Sequence, residues 1–510
     1  MNSLQGYRKV SDPTPQYESL LPMWTRSRAV CSGERFVKAV DNIVSVFNLL
    51  IPFSPTMSQA QYNFYKAEAE FPGITSQFAK MLVGGLLRKK PLLTLADKLP
   101  SEASSWIINE FGQDGSTLVS FLYNALEEEI QTSRAWVYID HPFVANNLTK
   151  KEKEKIKPYP VLWKPENIVN WRITTKDTGE SILSQIIVRG LVEIIEEGEF
   201  HPKYRDTVWV HELDEQGLYQ IRIFEKANDA DEPLYLNGQR YNGKKADGEM
   251  FKEIDKITSI LINNERLSFI PAWPLNGSIN PIEPLLTPII DKEIALYNKI
   301  SRRNHLLYGA ATYTPWISSD MSDDQFALIV DQGLGTWIHL RQEDKIGVLE
   351  TPTDALKDME EAIKNGYEEM AKLGIRMLTP ETEQSGVALQ LRNAAQTAQL
   401  GSLNTKVSET FRQIIVFMLS WRYGIDVELD DVIFGMSEDF DPVPIGADWL
   451  RFCTEWYEKG LLPRSVWLNL LKTNDMIPSD YDDKEGITEI NDDELLIPKG
   501  TEDYANTLKR

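Results

Sequence analysis

The feature that most limits how this chain can fold is one periodic segment, Val387 to Tyr423. Apolar residues fall at Leu400, Leu403, Val407, Phe411, Ile414, Met418 and Trp421, at successive spacings of 3, 4, 4, 3, 4 and 3. That rhythm is helical. At ~1.5 Å per residue the segment reaches roughly 55 Å, so the rest of the fold must be arranged along a rod. Its first half is small and amide-rich, with Ala388, Gln390, Ala394, Ala395, Gln396, Ala398 and Gln399. Gly401, between the halves, predicts a kink.

Two further helices precede the rod. From 288 to 309, Pro288 opens the first turn. Ile290, Ile294 and Tyr297 make one stripe, and a second, Ile289, Leu296, Ile300, Arg303 and Leu307, lies on another side. A helix apolar on two sides packs against two neighbours. Thr353 to Arg376 is helical again and acidic at its start, with Asp354, Asp358, Glu360 and Glu361. Between the two helices, residues 310–352 read as short strands and turns, with Gly333, Gly335 and Gly347. Residues 377–386 form a polar loop.

The N-terminal third, residues 1–140, is mostly helical: Ser58 to Glu70 stopped by Pro72-Gly73, Ile74 to Leu87 stopped by Arg88-Lys89-Lys90-Pro91, and 118–131. Trp136 to Asp140 reads as a strand. A solvated charge run follows at 150–157, and residues 158–275 are strand-rich, with strands at Pro160–Trp163, Ile182–Val188, Thr207–His211 and Tyr219–Phe224. Asn237-Gly238 and Asn242-Gly243 are hairpin turn signals. The end of the chain carries a helical hairpin pattern around Trp449, Trp456 and Trp467, then the run Asp492-Asp493-Glu494.

Charge and composition exclude several classes. Across 510 residues there are 76 acidic and 54 basic side chains, a net charge of −22. Residues 425–510 alone carry 21 acidic and 8 basic ones. Such a surface does not grip phosphates broadly, because tight binding needs a basic footprint. Hydrophobic residues at 42% and aromatics at 10% suffice for large cores. Two cysteines, Cys31 and Cys453, exclude a disulfide scaffold. The histidines, at 141, 201, 211, 305 and 339, show no metal-ligand spacing, so neither a metal nor a cofactor is expected. The longest apolar stretch, Val40 to Phe53, is interrupted by Asp41, Asn42 and Asn48, so no membrane span is expected. The N-terminus shows no signal-peptide pattern. A soluble protein of a reducing compartment is the expectation.

Catalytic motifs are near misses. Gly238 to Lys245 fits the phosphate-loop spacing except at the last position, where Lys245 stands in place of Ser or Thr. A hairpin tip is the favoured reading of that stretch. Asp439/Asp441 and Asp482/Asp483 are the pairs expected by chance in so acidic a segment. No G-x-S-x-G elbow occurs, so no catalytic residue is assigned and an enzyme is not expected. Helices apolar on two sides, in an acidic chain, suggest subunits side by side in a ring, against the alternative of a large monomer.

An ordered set of stretches resembles the portal (head–tail connector) proteins of tailed bacteriophages, of the podovirus type. It comprises Trp24 to Val37; Tyr62 to Pro91, ending Leu-Val-Gly-Gly-Leu-Leu-Arg-Lys-Lys-Pro; Glu166 to Arg172 with Gln185 to Arg189; Ile279 to Asp291 and on through Tyr297-Asn298 to Tyr308; Ser385 to Gln390; and Trp456 to Trp467. The resemblance implies an α+β portal fold. In that fold 1–278 is a helical and β-rich wing, 279–309 and 353–376 are two stem helices, and 310–352 is a small α/β clip. Residues 377–386 are then a channel loop, 387–439 a long wing helix with a closing strand, and 440–510 a crown with an acidic tail.

The resemblance further implies a homo-dodecameric ring around double-stranded DNA at a capsid vertex of the virion, assembled in the host cytoplasm. Its other partners are the terminase large subunit, a tail adaptor protein and the major capsid protein. The genome would be packaged and ejected through this passive channel. Candidate channel residues are Lys299, Arg302 and Arg303 on the first stem helix, with inter-subunit salt bridging or a solvated face as the alternative. Thr379, Glu381, Thr382, Glu383, Gln384 and Ser385 are the loop candidates, with an ordinary helix–helix connection as the alternative. Candidate clip contacts are Trp316, Asp320, Asp323, Trp337 and Arg341, the two tryptophans reading equally as the clip's own core. A minor capsid or scaffold protein without a channel, and a nucleotide-binding enzyme built on Gly238 to Lys245, are the alternatives.

Overall fold

The computed structural model describes residues 10–38, 49–140, 156–176, 178–194, 198, 200–226, 235–236, 239–240, 251–258, 260–262, 265–311, 314–332, 343–349, 354–375, 386–437, 447–460, 463–473 and 477. The chain divides into two units, residues 1–438 and 439–510.

The first unit opens with helices. α1 (Pro15–Ser32) begins where Thr14 accepts the Tyr17 N–H and Pro15 takes the first helical position. It ends at Gly33, whose φ of 93° a side chain would resist. α2 (Glu34–Val37) follows at once. α3 (Gln59–Glu68) starts with a reciprocal capping box between Ser58 and Gln61. α4 (Ile74–Leu86) precedes the short strand β1 (Leu92–Leu95), and α5 (Glu102–Asn109) and α6 (Leu118–Thr132) complete the group. Trp24, Val30, Leu82, Val83, Leu86, Leu122 and Leu126 are fully buried among these helices.

The β-rich part then runs through β2 (Trp136–Asp140), β3 (Tyr159–Trp163), β4 (Ile168–Thr175), β5 (Ser181–Ile194), β6 (Lys203–Leu213) and β7 (Tyr219–Lys226). β8 (Tyr235–Leu236), β9 (Gln239–Arg240), β10 (Phe251–Ile257), β11 (Leu261–Ile262), β12 (Glu265–Arg266) and β13 (Ala272–Pro274) follow. Strands β10-β7-β6-β5-β4 make a five-stranded sheet and β13-β2-β3 a three-stranded one, both antiparallel. The sheets meet through an aromatic cluster. Tyr138 stacks on Trp163 at 4.7 Å, and His211 lies against both rings at 4.8 and 4.9 Å. Burial drives the His211 imidazole down to about 3, so it is neutral in the core.

The remainder of the unit contains α7 (Thr287–Ala311), β14 (Thr314–Ser318), α8 (Asp323–Gln332), β15 (Lys345–Leu349), α9 (Asp354–Ile375), α10 (Gly386–Tyr423) and β16 (Val432–Gly435). α10 is the expected rod, 38 residues long, and it passes Gly401 without a break. Its stripe is buried at Leu400, Val407, Phe411, Ile414 and Met418. Phe411 contacts Phe111, Phe121 and Phe434 at ring distances of 6.2, 6.3 and 6.0 Å, joining α10 to the N-terminal helices and to β16. β16 pairs antiparallel with β1, more than 330 residues earlier in the chain.

One expectation needs correction. Residues 310–352 were read from the residues themselves as strands and turns, but α8 is a ten-residue helix within them. Its signals are local: Ser322 donates its N–H to the Gln325 side chain, and Asp323 and Asp324 sit in the first turn, where acids favour the helix dipole.

The second unit holds α11 (Ala447–Glu458) and α12 (Arg464–Thr473). Tyr457 stacks on Trp467 at 4.7 Å and joins the two helices.

Candidate functional site

The two helices with candidate site residues, α7 and α9, form an antiparallel hairpin with the β14–α8–β15 insert between them. Three contacts set its register. Lys292 pairs with Glu369 at 2.6 Å, and Arg303 pairs with Glu360 at 2.6 Å. Between them Gly366 faces Leu296 so closely that a Cβ on the glycine would lie 3.0 Å from Leu296 Cδ1. As the α7 number rises the α9 number falls. The absence of a side chain at Gly366 lets the helices approach. Glu369 and Glu360 of α9 thus pair with Lys292 and Arg303 of α7, so two ion pairs bridge the hairpin.

The start of α7 is fastened to the rest of the unit. Ser133 closes α6 with a φ of 51° and gives its N–H to Glu129 O at 2.6 Å. The Ser133 oxygens then hold the approach to α7: its carbonyl accepts from Asn276 Nδ2 at 2.7 Å and its hydroxyl from the Leu285 N–H at 2.9 Å. Arg134, almost fully buried, donates to Ile279 O at 3.1 Å and lies 4.1 Å over the Trp171 ring. Trp171 in turn donates to Asn280 at 3.2 Å. Glu129 accepts the Ala135 N–H at 2.8 Å, and burial pushes its carboxyl up to about 8. Burial brings Arg134 down to about 10.

Further along α7, Glu293 is fully buried and accepts the Ile74 and Thr75 N–H groups at 2.6 and 2.9 Å. It therefore caps α4, whose own N-cap residue is Gly73 and offers no side chain. Asn298 donates to Leu49 O at 3.0 Å and accepts the Ile51 N–H at 2.8 Å. The buried apolar residues Leu286, Ile289, Ile290, Leu296, Tyr297 and Ile300 complete a helix packed on two sides.

Lys299 and Arg302 are exposed on α7. Arg303 is partly covered and spends its guanidinium on Glu360 within the chain. The structure therefore does not gather the three into one free patch. Trp316 is 45% exposed, and its indole lies across Gly347 on the partner strand. Asp320, three residues before α8, and Asp323, its first residue, are exposed. Trp337, Arg341, Thr379, Glu381, Thr382, Glu383, Gln384 and Ser385 lie outside the described residues, as do the acidic pairs Asp439/Asp441 and Asp482/Asp483. Of the Gly238 to Lys245 stretch, Gln239 and Arg240 form β9, which pairs antiparallel with β8; Gly238 and residues 241–245 lie outside the described ones. Among the described residues there is no group of three His, Cys, Asp or Glu side chains that could hold a metal, and no helix long and apolar enough to cross a membrane.

Sequence reasoning gave no role to Glu293, Asn298 or Gly366. The signal for Glu293 was present: an acid inside the stripe of Ile289, Ile290, Leu296 and Tyr297 must be buried, and a buried carboxylate demands donors.

A family profile described as a domain of unknown function, DUF4055, matches residues 284–422, the stretch from the start of α7 to the end of α10. No curated protein sequence matches the chain. Among solved structures, a chain of the virion of a native gene transfer agent particle is similar at 11% identity and a TM-score of 0.37, over 78% of this chain and 89% of that one. A chain from the neck of the empty gene transfer agent particle, computed with C6 symmetry, is similar at 9% identity and a TM-score of 0.39, over 78% and 89%. One from the neck of the native particle, computed with C12 symmetry, is similar at 9% identity and a TM-score of 0.36, over 82% and 95%.

Proposed function

We propose that this chain is a structural subunit of a phage-type head–tail connector, and within that class a portal protein. The observation that carries the reading is the α7–α9 hairpin. Two antiparallel helices are locked by Lys292–Glu369, Leu296–Gly366 and Arg303–Glu360, carry a small α/β insert between them, and are followed by a 38-residue helix. That order is the one the sequence resemblance implies for stem, clip, stem, channel loop and long wing helix.

On this reading many copies close into a ring, a dodecamer, around double-stranded DNA at one capsid vertex. The insert meets the terminase large subunit during packaging and the tail adaptor afterwards, and the outer part meets the major capsid protein. The subunit does no chemistry of its own. Its acidity is suited to passage: a net charge of −22 repels phosphates, so DNA slides rather than sticks. Lys299 and Arg302, exposed on α7, are the cations that would steady the duplex, while Arg303 serves the hairpin.

Negative-stain imaging of the purified full chain, with light scattering for mass, tests the proposal. The expected result is a ring with an open centre and about twelve subunits' mass. A monomer, or an assembly without a central opening, overturns it and favours a minor capsid or scaffold role.

A further inference from the structure

His305 lies in the C-terminal half of α7, beside α3. Its imidazole is flanked by Phe53 at 4.9 Å and Tyr65 at 5.2 Å between ring centres, and these two rings meet each other edge-on at 6.2 Å. His305 Nδ1 faces Glu68 Oε2, at the end of α3, across 3.6 Å. Both atoms are shut off from solvent and neither has a hydrogen-bond partner.

Two orphaned polar atoms facing each other are an unusual arrangement, since buried polar groups are nearly always paired. The separation is too long for a hydrogen bond. A neutral imidazole has one proton to share between two nitrogens. A doubly protonated one carries a donor at Nδ1 in every case, and a positive charge with it. The two facing atoms are shielded although about a quarter of each side chain is exposed, so the attraction between that charge and the Glu68 carboxylate is only partly screened.

We propose that His305 and Glu68 form a proton-driven latch between α7 and α3. When the imidazole takes up its second proton, the gap closes into a charge-assisted N–H···O hydrogen bond and α3 is fastened to α7. When the proton leaves, α3 is held only by its other contacts, among them the Tyr62 hydroxyl donating to Leu50 O and the Phe64–Tyr308 ring contact. The titratable groups facing His305 are Glu68 and Tyr65 from α3. Arg302, one turn back on α7, acts on the Tyr65 hydroxyl, and the segment preceding α3 contributes the neutral Phe53 ring. Burial pushes the Tyr65 phenol up to about 12, so it stays uncharged near neutral pH. The latch stands on contacts within one chain and does not depend on the proposed ring.

Hydrogen–deuterium exchange of the full chain between pH 5.5 and 8, corrected for intrinsic exchange, tests it on the peptides covering α3. The expected result is opening of α3 about tenfold rarer at the acid end, the scale of a charge-assisted bond. In His305→Asn, which keeps a neutral donor near the Nδ1 position, and in Glu68→Gln, that pH dependence disappears. Glu129→Gln, which removes a buried titrating group elsewhere, leaves it in place and controls for variants that fail to fold. Protection of α3 that is flat with pH in the unaltered chain, or a pH dependence that survives when His305→Asn is combined with Glu129→Gln, overturns the latch.

Discussion

The Glu293 carboxylate of α7 accepts the backbone N–H of Thr75 at 2.9 Å, together with that of Ile74, and so terminates a helix 218 positions earlier in the chain. Gly73 precedes α4 and has nothing to cap with. One side chain thus ties the α7–α9 hairpin to the N-terminal helices, in a place water does not reach.

Glu293→Ala strands two donors in the interior. The expected loss is about 2–3 kcal/mol, the range for buried donors deprived of a charged acceptor. Glu293→Gln retains one acceptor and loses less. Chemical denaturation measures both, and hydrogen exchange assigns the loss to α4. Equal stability of Glu293→Ala and the unaltered chain would show that α4 finds another cap.

Gly347 is constrained by Trp316. A Cβ at Gly347 would lie 2.7 Å from the indole across the β14–β15 pair. Gly347→Ala therefore displaces the ring and costs about 1 kcal/mol, at the low end for overpacking because Trp316 is half exposed and can swing outward. In a Trp316→Ala background the same change is nearly free. A double-mutant cycle reads the difference; additive effects would mean the indole does not rest on the glycine in solution.

The Arg303–Glu360 pair distinguishes hairpin stitching from contact with a passing polyanion. The pair is largely exposed, so its coupling energy is about 0.2–1 kcal/mol and shrinks with salt. Swapping the charges, Arg303→Glu with Glu360→Arg, restores most of the stability that either change alone removes. Thermal melts at low and high salt are the measurement. A swap no better than the single changes would detach Arg303 from Glu360.

Glu129 sets a pH dependence of definite sign. Its folded carboxyl titrates near 8, raised first by burial, while in the unfolded chain it titrates near the ordinary glutamate value of ~4.3. Between those values the folded state binds the extra proton, so this group's contribution falls as pH rises from about 4.3 to 8. Glu129→Gln keeps an acceptor for the Ala135 N–H and removes that slope. Unfolding followed from pH 5 to 9 should give a flatter profile in the variant; parallel profiles would mean that the carboxyl is not desolvated.

Much of the fold was legible because periodicity is local. The spacing from Leu400 to Trp421 announced α10, and the two stripes of α7 announced a helix with neighbours on two sides. Pro288 and the Arg88-to-Pro91 stop marked boundaries through backbone chemistry that needs no tertiary context. α8 was missed because its capping signal, Ser322 with Gln325, is short and sits in a segment otherwise read as strands and turns. The candidate cations were legible as a cluster in sequence, but their separate environments were not. Arg303 meets Glu360 only because α9 returns antiparallel beside α7.

Most of the helices and strands, α8 excepted, could be read from the amino-acid order, as could the apolar faces and a charge balance opposed to broad phosphate binding. Those properties depend on residues three or four apart, or on simple sums. Only the tertiary structure decided that Glu293 caps α4, that Asn298 holds Leu49 and Ile51, that Gly366 admits Leu296, and that His305 confronts Glu68 without bonding it. These pairings join residues separated by 70 to about 250 positions, and contact at that range is chosen by how whole elements pack, which no local pattern encodes.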